Sequence, residues 1–239
     1  FPMVQPKKFF NMYPQEKMKI PPLIPGDLDD IPLAGRGSDG KGLNKTEEGR
    51  RRMWQAYYGA GSFMDEQLGR VLDELDRLGL RDSTAIMFTT DHGYHLGEHG
   101  FWQKANLHEE VVRVPLIVSA PGIKPGRTSS LVELVDLYPT WTELLGVPTP
   151  KGLHGKSLAP LLRNPNAKVR DTALSIHNRG GGGLRSAKWH YMKYGDKGEE
   201  LYDMTKDPGQ YTNVVSDPKY ATVLEEARAQ FKARMAVAR

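Results

Sequence analysis

Residues Thr84 to Lys104 read TAIMFTTDHGYHLGEHGFWQK. An apolar, β-branched run ends abruptly at Asp91-His92-Gly93, and a loop rich in glycine, histidine and charge follows through Gly97, Glu98, His99, Gly100 and Lys104. A strand over Thr84–Thr90 that stops at an Asp-His pair and opens into such a loop is how an α/β sheet builds a metal or anion site at its carboxyl edge. Neighbouring side chains in a strand point to opposite faces, so Asp91 and His92 can share an ion only where the strand has ended. Gly93 supplies that break. A carboxylate oxygen beside a neutral imidazole suits a hard or borderline divalent cation. From spacing alone, the triplet reads equally well as a strand-ending turn.

Upstream, Met53, Tyr57, Met64, Leu68, Val71, Leu72, Leu75 and Leu78 recur at helical spacing. They predict a long amphipathic helix over Thr46–Leu78, stopped at Gly79. Asp82-Ser83 then turns the chain into the strand, an order that argues for an α/β sheet. Val111–Ala120 (VVRVPLIVSA) reads as a second strand, with Pro115 marking an edge or bulge. Both strands are expected in a largely parallel sheet. Asp136 reads as the cap of a short helix with Pro139 in its first turn and Gly146 at its end. The segment Phe1–Gly42 is proline-rich and aperiodic. Its Asp29-Asp30 pair reads as a turn, because no apolar strand feeds it and Pro32 follows.

Beyond Pro165, β-like runs at Leu174–His177, Gly183–Ala187, Trp189–Tyr194 and Glu200–Tyr202 alternate with turns at Gly180–Gly183 and Gly195–Gly198. A last amphipathic helix covers Asp217–Met235. The expected organisation is an α/β part over residues 1–165 and a small antiparallel α+β subdomain over 166–239.

A chain of 239 residues suits one large domain or two small ones. No apolar run approaches the roughly 18 residues of a membrane span, so no membrane partner is expected. No secretory apolar region stands at the start, and Phe1 in place of Met reads as a processed or partial chain. The net charge of +4 comes from interspersed bases and acids, which gives no stripe for nucleic acid. With no cysteine, disulfides within this segment are excluded and the compartment stays unread. Asn44-Lys45-Thr46 is a glycosylation sequon, and Asn44 with Glu47 reads at least as well as a helix capping pair.

The Thr84–Lys104 stretch resembles the metal-binding segment of the sulfatase family, in the alkaline-phosphatase-like superfamily. The form DHG…LGEHGFWQK is most similar to the iduronate-2-sulfatase branch. DEQLGRVLDELDRLGL, RVPLIVSAPG, VELVDLYPTWTELLG and LHGKSLAPLL follow the family's order. So does LRSAKWHYMKYGDKGEELYDMTKDPGQYTNV, with departures at Ser186-Ala187-Lys188 and at Gln210-Tyr211, where an acidic residue commonly stands. The resemblance implies an alkaline-phosphatase-like sheet sandwiched by helices. It implies Asp91 and His92 on a metal, Ca2+ with Mg2+ as the alternative, and Lys104 as the catalytic residue on the sulfate. Trp102 would wall that pocket. His99 and His108 join Lys104 as the substrate-binding set. By their own placement His95, Glu98 and His99 read as lining the pocket or, in preference, as holding the loop by outer hydrogen bonds, and His108 with Glu109 as facing the ligand or capping the loop. Arg113 reads as the partner of a buried acid, and His154 and Arg185 as further anion-binding candidates.

The implied reaction is hydrolysis of a sulfuric ester on a sulfated carbohydrate, with a formylglycine nucleophile and a divalent metal. The C/S-x-P-S-R motif that carries formylglycine is not in this sequence, nor are the family's N-terminal aspartate pair and acid histidine. FPMVQPKKFFNMYP resembles the stretch just downstream of that histidine. Ser119-Ala120-Pro121-Gly122-Ile123 is the only near match to the nucleophile motif, and it lacks the Ser-Arg half. The expectation is a C-terminal sulfatase portion, inactive alone, whose partner is the N-terminal half of the same protein. The alternatives are a phosphoesterase or phosphonate hydrolase of the superfamily, or an inactive metal-binding fragment. Localisation stays open between periplasmic, secreted and lysosomal.

Overall fold

The computed structural model describes residues 3–40, 42–177 and 181–238. Along the chain run α1 (Lys7–Asn11), α2 (Glu47–Arg77), β1 (Ile86–Thr89), β2 (His95–Leu96), β3 (Trp102–Gln103), α3 (Glu109–Val112), β4 (Leu116–Ser119), α4 (Leu137–Leu144), α5 (Ala159–Arg163), β5 (Thr172–His177), β6 (Gly181–Ser186), β7 (Trp189–Lys193), β8 (Glu199–Asp203) and α6 (Ala221–Val237). The class is mixed α/β, as expected, and its sheets are small and antiparallel. Two compact units result. One holds Phe1–Gly26, Gly37–Thr84 and Tyr94–Ala105; the other holds Asp27–Arg36, Ala85–Gly93 and Asn106–Arg239.

In the first unit, α2 fills nearly the whole span its periodicity predicts. Thr46 caps it by accepting from the Gly49 N–H at 3.0 Å. The side chain of Asn44, offered by the sequence as a cap, lies outside the described residues. Glu47 and Glu48 in the first turn and Arg77 in the last oppose the helix dipole. Gly79 takes the left-handed conformation (φ 68°) that ends the helix. The N-terminal part of α2 packs on α1: Phe9 and Phe63 rings lie 5.3 Å apart, and Gln55 donates to the Phe10 carbonyl. Further along, Met64, Val71 and Leu78 recur every seventh residue on one face, and all three are exposed.

In the second unit, β1 and β4 pair antiparallel, with Ile86 opposite Ser119 and Thr89 opposite Leu116. This antiparallel pair differs from the largely parallel sheet expected for the two strands. The apolar run 111–120 is not one strand either. Val111 and Val112 complete the single turn of α3, Arg113 is its exposed C-cap, and Pro115 precedes β4. A proline cannot donate to a ladder, so the strand starts after it. The exposed Arg113 is therefore not held by a buried acid. Asp136 stands at the cap position of α4, but its carboxylate accepts from the backbone of Glu133 and Lys156, both at 2.8 Å. Asp29-Asp30 sits in a turn, as expected.

Strands β5-β6-β7-β8 form one antiparallel sheet in that order. Gly181–Gly183, expected to turn, open β6 instead, and Gly180 lies outside the described residues. The two-residue period sorts the side chains. Leu184, Tyr191 and Leu201 pack on Leu224 and Phe231 of α6. A Cβ at Gly182 would come within 3.1 Å of the Phe231 ring, so the glycine lets α6 close down. Met192 and Tyr202 pack on the opposite face with Leu107, Tyr194 and Met204. Both faces of this sheet are thus covered.

Candidate metal and anion site

Beyond β1 the backbone leaves strand geometry, and Asp91 and His92 turn toward one another instead of to opposite faces. Asp91 Oδ2 lies 3.4 Å from His92 Nε2, with the Asp91 side chain 80 % exposed and that of His92 27 %. The Thr90 hydroxyl and the His92 N–H both bond Asp91 Oδ1, at 3.2 and 3.0 Å. Burial pushes the Asp91 carboxyl up slightly, but the nearby imidazole and these hydrogen bonds leave it below the usual carboxylate range. His92 Nδ1 lies 2.8 Å from the Gly93 carbonyl. A carbonyl can only accept, so in the neutral ring Nδ1 carries the proton and Nε2 presents its lone pair toward Asp91. A carboxylate oxygen and an imidazole nitrogen 3.4 Å apart fit a divalent cation. Among the described residues no group of three or more His, Cys, Asp or Glu could hold a metal.

His99 and Lys104 belong to the first unit, on the β2–β3 hairpin. Its loop uses left-handed backbone at Gly97 (φ 113°), His99 (φ 56°) and Gly100 (φ 70°). Trp54 donates to the Leu96 carbonyl at 2.6 Å, and the Trp102 N–H to the Ser38 carbonyl at 2.7 Å. Trp102, expected to wall a pocket, is instead a core side chain of its unit. His95 and His99 are buried around Phe101, with ring centroids 5.6 and 5.8 Å from it. Glu98 accepts from the Leu96 N–H at 2.7 Å. Its burial is outweighed by the His95 and backbone bonds, which keep its carboxyl low. Lys104 follows Gln103, itself left-handed at φ 70°, and is exposed where the hairpin releases the chain.

His108 belongs to the second unit and is fully buried. Its Nδ1 meets Asn106 Nδ2 at 2.8 Å and its Nε2 meets Glu200 Oε2 at 3.1 Å. The same Glu200 oxygen accepts from the Tyr202 hydroxyl at 2.5 Å. Desolvation raises the Glu200 carboxyl, but His108 and the tyrosines more than offset it and hold it low. The enclosed ring therefore reaches Asn106 and Glu200. His154 is exposed. Arg185, an anion-binding candidate by sequence, donates to Glu109 at 3.0 Å. Glu109, His190, Glu200 and Gln210 were not singled out by the sequence as a cluster. The signal that could have found His190 and Glu200 is their place on the alternate face of WHYMK and EELYD.

His190 carries a pH dependence. Burial, with Arg185 and His108 adding repulsion, pushes its imidazole down to about 3. The groups facing it are Arg185, His108, Glu109 and the Gln210 amide. The unfolded chain binds the proton more readily, so the contribution to stability is complete above about pH 6.5 and is lost as pH falls toward about 3. His190→Gln is expected to flatten the fall of thermal midpoint across that window. Parallel curves for variant and wild type would refute the assignment.

Three comparisons bear on these residues. The family model described as Sulfatase matches residues 6–147, and that described as N-sulphoglucosamine sulphohydrolase, C-terminal, matches 97–236. A protein of Formosa agariphila named "Sulfatase" is 33% identical over 236 residues, which is 95% of this chain and 46% of that protein. A protein solved in complex with its substrate D-glucosamine-2-N,6-O-disulfate is 29% identical with a TM-score of 0.75, covering 82% of this chain and 43% of that one. The phosphonate monoester hydrolase of Silicibacter pomeroyi is 27% identical with a TM-score of 0.87, covering 98% and 54%. The chain spans about half the length of the curated relative it matches along nearly its whole extent. A model match over more than half of the sequence, together with that relative, settles the assignment: the chain belongs to the sulfatase family.

Proposed function

We propose that this chain is the metal-binding and lysine-bearing portion of a sulfuric ester hydrolase that removes sulfate from a sulfated sugar. Its N-terminal half would carry a formylglycine nucleophile. Family membership and the sulfated-sugar complex of a structural relative support the reading. The observation that carries it is the convergence of Asp91 Oδ2 and His92 Nε2 at the end of β1. Asp91 and His92 would hold Ca2+, or Mg2+ in its place, and the bound cation supplies positive charge for the sulfate oxygens. Thr90 and the His92 N–H keep the Asp91 carboxylate in place, and the Gly93 carbonyl keeps the His92 ring turned. The Lys104 ammonium, a compact charge on an exposed turn, meets a sulfate oxygen as negative charge moves toward the leaving oxygen. With His99 and His108 enclosed, sulfate contact on this reading falls to Lys104. The LGEHGFWQK form favours an iduronate-2-sulfatase-like substrate.

The exposed seam of α2 supports docking of the N-terminal half, as does Ile117 on β4, 62% exposed. Each such side chain contributes about 1.5–3 kcal/mol when buried. On this reading residues 1–165 complete the catalytic α/β domain, residues 166–239 form its small subdomain, and the segment alone turns over no sulfate ester.

The test compares full-length protein, made under conditions that allow formylglycine formation, with this segment on an aryl sulfate and on sulfated disaccharides. In the full-length protein, Asp91→Asn is expected to weaken calcium binding by at least about 100-fold, the upper end of what outer partners of a metal site cost. Calcium binding unchanged in that variant, or turnover by the segment alone, would reject the reading. The phosphonate monoester hydrolase likeness favours a second reading, hydrolysis of a phosphoester or phosphonate. A bare Thr or Ser nucleophile upstream, with turnover of a phosphonate monoester exceeding that of the sulfate, would establish it. Calcium binding by the full-length protein without turnover of any of these esters would leave a metal-binding module.

A further inference from the structure

We propose that Glu109, Arg185 and Gln210 form a clamp, anchored on the C-terminal sheet, that positions the Asp91–His92 pair. The proposal rests on the metal reading of that pair. The coupling is a backbone contact. The Gly93 N–H donates to the Val111 carbonyl at 2.7 Å. A Cβ at Gly93 would overlap the Glu110 carbonyl oxygen and stand 3.3 Å from Val111 Cα, so only a glycine lets the end of the metal segment lie against α3. The same Gly93 carbonyl orients the His92 ring.

α3 is a single turn of four residues and cannot hold its own place. What grips it is the sheet. Gln210 Oε1 accepts from the Glu109 N–H at 2.7 Å, and Arg185 Nε donates to Glu109 Oε2 at 3.0 Å. Arg185 of β6 lies opposite His190 of β7, so paired strands fix both ends of the grip. Gln210 is the strained member: it is non-glycine at φ 59°, buried, and its amide nitrogen meets His190 Nδ1 at 3.1 Å. A left-handed residue with a side chain costs stability and persists where its surroundings fix it. Here the strain aims one amide at both α3 and β7. Contacts then run unbroken from Arg185 and Gln210 through Glu109, Val111 and Gly93 to His92. None of the three touches the ligand atoms. They are positioning residues.

Outer partners that orient metal ligands typically cost about 10–100-fold in affinity when removed. The test uses the full-length protein with Glu109→Gln and Gln210→Ala, and with Asp91→Asn as reference. It reads calcium affinity by calorimetry, hydrogen exchange at the Gly93 amide, and thermal midpoint. Both clamp variants are expected to weaken calcium binding by about tenfold or more and to speed exchange at Gly93 ahead of the surrounding sheet. Gln210→Glu keeps an acceptor for the Glu109 N–H and is expected to restore most of the affinity. Calcium affinity within about twofold of wild type in a folded clamp variant would overturn the proposal. So would a loss accompanied by uniform exchange across the unit, the mark of general destabilisation. If Asp91→Asn abolishes calcium binding while the clamp variants keep it, the clamp alone fails. If Asp91→Asn leaves binding intact, the metal reading fails and the clamp falls with it.

Discussion

Lys104→Ala in the full-length protein is expected to lower kcat/KM on a sulfate ester by about 10²–10³-fold while leaving the thermal midpoint unchanged. The size follows from removing one preorganised charge from the place where an oxyanion gains negative charge. The intact fold follows from placement: Lys104 is exposed at the exit of the hairpin, while Phe101 and Trp102 beside it carry the packing. Lys104→Arg should recover only part of the loss, because a planar guanidinium does not reproduce a compact ammonium at a tetrahedral oxyanion. Steady-state kinetics on an aryl sulfate would check both variants. Activity near wild type in Lys104→Ala would remove Lys104 from the site.

The second large effect concerns stability. Arg170→Met is expected to destabilise the second unit by roughly 3–5 kcal/mol. Arg170 is buried with its guanidinium bridging the carboxylates of Glu133 and Asp136. Arg234 holds the other Glu133 oxygen at 2.5 Å, and the Leu174 N–H donates to that oxygen at 2.6 Å. Deleting the central cation leaves two buried carboxylates facing each other, which is costlier than never having had the pair. Burial already pushes the Asp136 carboxyl above its ordinary value. The deficit in Arg170→Met should therefore shrink at acid pH, where the carboxyls are neutral. Thermal midpoints of variant and wild type across pH would show this. A midpoint shift equivalent to less than about 1 kcal/mol would mean that the cluster does not hold the unit together.

Local chemistry was legible wherever a residue acts on its own neighbours. The Thr46 hydroxyl, the acidic first turn and Gly79 bound α2 because caps and dipoles act within one turn. The end of β1 at Asp91-His92-Gly93 was legible for the same reason, since a strand run and its break need no distant partner. The small C-terminal sheet followed from four short runs, although Gly181–Gly183 joined a strand where a turn was expected. The run 111–120 misled because apolar content does not separate one strand from a helical turn followed by a shorter strand. His108, bonded to a residue 92 positions away in sequence, shows the limit for the site.

The sequence by itself determined the long helix α2 with its ends, the run of short C-terminal strands, and that an acid and an imidazole stand side by side where β1 has ended. Only the tertiary structure decided what covers the polar faces. By their period, Arg185, His190 and Glu200 would face solvent. The chain returns Leu107 and α3 over them, and their side chains become a buried network with Glu109, His108 and Gln210. Periodicity records the side to which a residue points. Whether water or another segment waits there is set by contacts between residues far apart in sequence, and those form only when the whole chain has folded.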